Sequence, residues 1–155
     1  MIILFYGQPA SGKTTLADQF YESAYLEKPV IFIKIDGDKW REITKNKDYS
    51  KEGRITNLKG AFNMALYLED LGFTPVLSFV TPYRELRKYL KDNAKRMVEI
   101  YLKYSGDRGR NMNFATDFEE PLDGEYSLCF DTSVKSVNEC TNEIIEFVKA
   151  QYELD

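Results

Sequence analysis

At 155 residues, with 43% hydrophobic and 30% charged side chains and a net charge of −4, the chain has the make-up of one globular domain. That composition excludes a disordered segment or a fibre, and the acidic balance argues against a general nucleic-acid binder. The sequence holds no histidine, which excludes imidazole acid–base catalysis, histidine-activated nucleophiles and histidine-ligated zinc, so any chemistry must rest on carboxylates, Lys and Arg, hydroxyls and a metal ion.

The first apolar run, Ile2-Ile3-Leu4-Phe5-Tyr6, has no basic flank and stops at Gly7. It is far short of the roughly 20 residues that cross a bilayer, so it predicts a buried strand, no targeting segment and a cytoplasmic address. Two cysteines, Cys129 and Cys140, are too few for a disulfide framework and read as reduced thiols, in keeping with that address. Directly after the strand, Gly7-Gln8-Pro9-Ala10-Ser11-Gly12-Lys13-Thr14 fits G-x-x-x-x-G-K-[ST] in full. The pattern predicts a backbone cradle for phosphates at the start of a helix, with Lys13 on the β- and γ-phosphates of ATP and the Thr14 hydroxyl on Mg²⁺. Thr15, next in the helix, joins these as an ATP-binding position.

A second strand is predicted over 30–35, and at its end stands Asp36-Gly37-Asp38. Two acids flanking a glycine can turn toward one point, one orienting Mg²⁺ and the other receiving the attacking hydroxyl's proton, although Asp-Gly also marks plain turns. Leu58, Phe62, Ala65, Leu66 and Leu71 recur at helical spacing until Gly72. A strand over 76–80 precedes Thr81-Pro82, read as a capping hydroxyl with proline at the first helical position. Residues 84–110 carry nine Lys or Arg against four Asp or Glu, a local +5 that is either a solvated face or a field for a small polyanion. Strands over 97–102 and 127–130 follow, and Ser136-Val137-Asn138-Glu139 is a capping box opening the last helix.

Strands alternating with helices predict an α/β domain: a five-stranded, mainly parallel sheet with helices on both faces, the P-loop kinase fold, spanning 1–155 with a lid near 103–121. Ligands of such sheets lie at the carboxyl ends of the strands, which gathers 7–14, 36–41, 81–87 and 103–121 around one crevice. A guanine-specifying Asn-Lys-x-Asp is absent, since Asn46-Lys47-Asp48 has the wrong spacing, and so short a domain lacks a motor's coupling elements. A kinase remains.

The motifs beyond the P-loop resemble those of the adenylylsulfate (APS) kinases. Asp36-Gly37-Asp38-Lys39-Trp40-Arg41 is similar to D-G-D-N-x-R, and Tyr49 through Lys59 is similar to F-S-x-x-D-R-x-x-N-x-R, with Gly53 in place of Asp. Ser78-Phe79-Val80-Thr81-Pro82-Tyr83-Arg84 and Phe118-Glu119-Glu120-Pro121 resemble two further family segments. The resemblance implies transfer from ATP to the 3′-hydroxyl of adenylylsulfate with Mg²⁺. Lys13, Asp36 and Asp38 would be catalytic, with Asp36 joining Thr14 at the metal. Asp38, Arg41, Tyr49, Arg54, Asn57, Phe79, Val80, Thr81 and Phe114 would bind the acceptor, with Tyr49 and Phe114 sandwiching its base. The lid is shorter than the family's, and Arg108 and Arg110 are expected to compensate at the phosphates or the adenine of ATP. Another small anionic acceptor, such as cytidine diphosphoramidate, and a nucleotide sensor without turnover stay open as alternatives. The expected partners are small-molecule nucleotides, with neither nucleic acid nor membrane, and a homodimer is left open.

Overall fold

The computed structural model describes every residue except 25, 27, 28, 107–114, 154 and 155. Five strands, β1 (Ile2–Tyr6), β2 (Phe32–Asp36), β3 (Thr74–Phe79), β4 (Met97–Lys103) and β5 (Leu128–Asp131), form one sheet in the order β2-β3-β1-β4-β5. All four pairings are parallel, with Leu4 of β1 opposite Leu77 on one side and Glu99 on the other. Helices α1 (Lys13–Ser23), α2 (Gly37–Thr44), α3 (Lys51–Asp70), α4 (Arg84–Asn93) and α5 (Val137–Glu153) fill the intervals.

The central strand explains why a short apolar run founds the fold. Residues Ile2 through Tyr6 are all fully buried, because both faces of a parallel sheet are covered by helices. Alternation along the strand then splits the interior into two cores. Ile2, Leu4 and Tyr6 pack with Leu58, Phe62 and Ala65 of α3 and Leu86 and Leu90 of α4. Ile3 and Phe5 pack with Leu16 and Phe20 of α1 and with Cys140, Ile144 and Val148 of α5. Each large apolar side chain removed from water contributes about 1.5–3 kcal/mol, so these layers fix the strand ends as a rigid platform.

The Ser136–Glu139 capping box forms as the spacing predicts: the Ser136 N–H donates to the Glu139 carboxylate at 3.0 Å and the Glu139 N–H to the Ser136 hydroxyl at 3.3 Å. One local expectation changes, and one open alternative closes. Helix α4 begins at Arg84 and not at Thr81-Pro82, because Thr81 is held buried with φ +45°, a kink that keeps Pro82 and Tyr83 outside the helix. No side chain of its own caps α4; the Arg84 N–H instead donates to the carboxylate of Glu119, far along the chain. The Asp36-Gly37-Asp38 stretch is not a simple turn, since Asp36 ends β2 and caps α2 in one step.

Candidate active site

The phosphate loop crosses from β1 to α1 at the carboxyl edge of the sheet. A Cβ on Gly7, whose φ is +150°, would lie 2.0 Å from the carbonyl oxygen of Leu102, so only glycine lets the loop leave the strand here. Gly12 caps α1 at φ +93°, and Ala10 adopts φ +64°. From the far side the Thr132 hydroxyl donates to the Ser11 carbonyl at 2.9 Å, tying the loop to the end of β5. The first-turn N–H groups of Lys13, Thr14 and Thr15 have no helical acceptor and form the positive end of α1.

Lys13 lies buried beneath this loop, its ammonium donating to the Gln8 carbonyl at 2.7 Å. Burial brings its pKa down to about 8, against the opposing pull of Asp38 and Asp36. That pull places both acids of the Asp-Gly-Asp segment in the field of the lysine.

The two acids are not equivalent. One oxygen of Asp36 accepts the N–H groups of Asp38 and Lys39 at 3.0 and 3.1 Å, and the other accepts the hydroxyls of Thr14 and Ser78 at 3.0 and 2.9 Å. Burial pushes this carboxyl up, but the four hydrogen bonds outweigh it and hold the pKa below the usual carboxylate value. Asp36 is thus a fixed anion joining α1, α2 and β3. Asp38, in the first turn of α2, is exposed on the cleft and accepts no hydrogen bond among the described residues.

Across from the loop, the cleft of about 940 Å³ is lined by Asp38, Arg41, Tyr49, Arg54, Asn57, Phe79, Val80 and Thr81, as well as by Pro9, Ala10, Gly12, Lys13, Thr14, Thr15 and Asp36. Helical spacing explains the pairs: Asp38 and Arg41 share one face of α2, and Arg54 and Asn57 share one face of α3. Arg41 donates to the Asn46 side chain and to the Asp48 carbonyl at 2.9 and 3.0 Å, and its guanidinium stacks 4.2 Å over the ring of Tyr49. That ring is 64% exposed and presents an aromatic face to the solvent side of the cleft. Arg54 pairs with Asp117 at 3.6 Å, and Asp117 accepts the Tyr83 hydroxyl at 2.7 Å. Burial and that hydrogen bond push the Tyr83 phenol up to about 12. The Oδ1 of Asn57 and the Oγ1 of Thr81 are buried and find no hydrogen-bond partner among the described residues.

Gly7, Gln8 and Ser11 belong to the loop without lining the cleft. Arg108, Arg110 and Phe114 lie outside the described residues. Sequence reasoning missed Ser78, the second hydroxyl on Asp36, and the work of Gln8. The Gln8 amide both donates to the Ala115 carbonyl and accepts its N–H, each at 3.0 Å, which bolts the phosphate loop to the segment that begins at Ala115. The basic stretch resolves mainly into structural pairs. Arg87 is buried and donates to the carbonyls of Thr81 and Glu119, Arg84 pairs with Glu125, and Lys88, Lys91 and Lys95 pair with Asp92, Glu99 and Asp70.

A parallel sheet with a glycine-hinged phosphate loop at its carboxyl edge, a buried lysine, and one acid at the end of β2 with a second in the first turn of α2 defines a P-loop phosphotransferase. The family model described as adenylylsulphate kinase matches residues 1–124. The chain belongs to the adenylylsulfate kinase family, and it is a kinase. It is 28% identical to the adenylyl-sulfate kinase of Staphylococcus carnosus over 97% of this chain and 85% of that one. It is 32% identical to the cytidine diphosphoramidate kinase of Campylobacter jejuni over 65% of this chain and 59% of that one. Its fold superposes on the Mycobacterium tuberculosis APS kinase in complex with AMPPNP and APS with a TM-score of 0.80 and 18% identity, covering 96% of both chains. No helix among the described residues is long and apolar enough to cross a membrane.

Proposed function

We propose that this kinase transfers the γ-phosphoryl group of ATP to the ribose 3′-hydroxyl of adenylylsulfate, giving 3′-phosphoadenylylsulfate. The observation that carries the reading is the division of labour between the two acids: Asp36 takes four hydrogen bonds, whereas Asp38 accepts none among the described residues and lines the cleft with Lys13.

In this reading the N–H groups from Gly12 to Thr15, at the start of α1, hold the triphosphate, and Lys13 faces its transferring end. The Thr14 hydroxyl, which donates its hydrogen bond to Asp36, keeps its lone pairs for Mg²⁺, which would be held there with Asp36 orienting it through water and would neutralise developing charge. Asp38 accepts the proton of the acceptor hydroxyl as its oxygen attacks the γ-phosphorus in line. The bond from that phosphorus to the bridging oxygen breaks, ADP leaves with the electron pair, and the proton on Asp38 passes to water. No covalent enzyme intermediate is needed.

On the acceptor side, Tyr49 offers a face for a nucleobase and Arg54 a guanidinium for the phosphosulfate, while Asn57 and Thr81 form the wall against its ribose. Arg41 supports the acceptor by fixing Tyr49 and the loop before α3. Phe79 and Val80 close the wall.

An aromatic face grips any base, and the cytidine diphosphoramidate kinase relative makes that nucleotide the second acceptor to weigh. The test is ADP release with Mg²⁺ and ATP against adenylylsulfate, cytidine diphosphoramidate and simple alcohols, with the product located by mass spectrometry. The proposal expects turnover with adenylylsulfate and a 3′-phosphate on the product. Turnover confined to cytidine diphosphoramidate or to an alcohol refutes it.

A further inference from the structure

Arg54, the acceptor-side arginine, does not face the cleft unaccompanied. Its guanidinium meets Oδ1 of Asp117 at 3.6 Å, while Oδ2 of the same carboxylate takes the Tyr83 hydroxyl at 2.7 Å. The ion pair is loose, well beyond the 2.7–2.9 Å of a direct charge-assisted hydrogen bond, and its members are 22% and 48% exposed. A carboxylate so placed is a poor permanent partner for arginine and an easily exchanged one.

We infer that Asp117 is a built-in competitor of the acceptor, holding Arg54 between turnovers and yielding it to the acceptor's anionic group. The inference rests on the reading of Arg54 as an acceptor residue given above. A phosphate or sulfate presents two oxygens to the guanidinium fork, which the single long contact from Asp117 does not match. The displaced carboxylate is not stranded, because it keeps the Tyr83 hydroxyl and half of it already faces water.

The exchange asks for no backbone movement, since the segment carrying Asp117 is fastened independently of Arg54. Gln8 holds Ala115 by two hydrogen bonds, Arg87 holds the Glu119 carbonyl at 2.6 Å, and Arg84 holds the Glu120 carbonyl at 2.8 Å. Phe118 stacks on Tyr101 with centroids 6.4 Å apart. Swapping the partner of Arg54 is therefore a side-chain event on fixed walls. Arg41 contrasts with this: its guanidinium is committed to the Asn46 and Asp48 acceptors that shape the loop.

The variant that isolates the effect is Asp117→Asn, which keeps an acceptor for the Tyr83 hydroxyl and removes the charge facing Arg54. The full chain is titrated with the nucleotide that the wild-type enzyme phosphorylates, adenylylsulfate or cytidine diphosphoramidate, in the presence of Mg²⁺ and a non-hydrolysable ATP analogue. Asp117→Asn should bind the acceptor about two- to fivefold more tightly, the worth of an exposed ion pair. Its affinity should also fall more steeply with salt, because the wild type exchanges one ion pair for another and the variant gains a new one. In an Arg54→Ala background the same substitution should change nothing. Arg54→Ala alone should weaken the acceptor by roughly ten- to a hundredfold. If Arg54→Ala weakens binding but Asp117→Asn weakens it too or leaves it alone, Arg54 keeps its role and the competitor is refuted. If Arg54→Ala leaves acceptor binding unchanged, or neither nucleotide binds, the reading of Arg54 fails and the competitor fails with it.

Discussion

The buried lysine makes nucleotide binding a proton-coupled event. Without phosphates beside it, the Lys13 ammonium is held at a pKa of about 8 by desolvation. A triphosphate in the loop supplies the opposite charge that burial removed, so the bound complex keeps the ammonium protonated well above that value. Binding above pH 8 must therefore take up a proton, and affinity must fall as pH rises. The chain has no histidine, both cysteines are raised by burial, and the Met1 amine is paired with Glu69 at the opposite end of β1 from the loop, so among the described residues Lys13 is the group beside the phosphates that responds above pH 7.5. With a free-state pKa of about 8, roughly three quarters of the lysine is charged at pH 7.5 and about 3% at pH 9.5. Affinity for a non-hydrolysable ATP analogue should accordingly weaken on the order of 20–30-fold over that range, about 2 kcal/mol. Titration calorimetry at pH 9 in two buffers of different ionisation enthalpy should show close to ~1 proton taken up per nucleotide bound. Lys13→Met should bind weakly and with a flat profile. A wild-type affinity that is level from pH 7.5 to 9.5, with no proton uptake, refutes the coupling. The same shift acts on stability in the ligand-free state with the opposite consequence. The unfolded chain holds its proton up to about 10.5 while the folded chain has already released it, so stability rises with pH between about 8 and 10.5.

Gly53→Ala tests the crowding at the start of α3. At an open helical position this change stabilises by about 0.5–1 kcal/mol, but here the new Cβ would sit 2.2 Å from the Asp48 carboxyl carbon and 2.6 Å from its backbone oxygen. The loop must shift, and thermal melting should show a loss of about 1–3 kcal/mol, whereas a raised Tm would show that Asp48 yields freely. Asp36→Ala removes the cap of α2 and should cost about 0.5–2 kcal/mol at neutral pH. Because the folded Asp36 pKa is depressed, its contribution is present at neutral pH and lost as pH falls through the carboxylate range. The gap between wild type and variant in denaturant midpoints should then shrink toward pH 2–3; a gap that is constant with pH would show that ionised Asp36 does not matter.

Much of this site was legible because its parts are local in sequence. The phosphate loop is eight contiguous residues whose glycines have one backbone use, and helical spacing alone brings Asp38 with Arg41 and Arg54 with Asn57. What escaped depends on contacts between distant segments. Nothing in Gln8 announces that its amide mimics a strand partner for Ala115, 107 residues away. Glu119 caps α4 and Arg87 is buried under a turn for the same reason: the segment from Ala115 to Glu120 folds back over β4. Thr81-Pro82 carries the pattern of a helix start, yet tertiary burial of Thr81 in a left-handed conformation overrides it. For the basic run, charge counts left a solvated face and a field both open, because they do not see partners. Acids at Asp70, Asp92, Glu99 and Glu125, together with backbone carbonyls, take up most of it.

The claim on which the account turns is that Asp38, and not the fully bonded Asp36, serves the attacking hydroxyl. The direct measurement is single-turnover transfer from ATP to the acceptor by Asp38→Asn, mixed at saturating nucleotide so that chemistry is separated from binding. The substitution keeps the shape of a side chain that caps nothing and accepts no hydrogen bond among the described residues, so the fold and Mg·ATP binding should persist. The transfer rate should fall at least ~10²-fold below the wild type, the usual cost of losing a positioned base. A rate within about threefold of the wild type would make Asp38 a surface residue of α2 and contradict the mechanism.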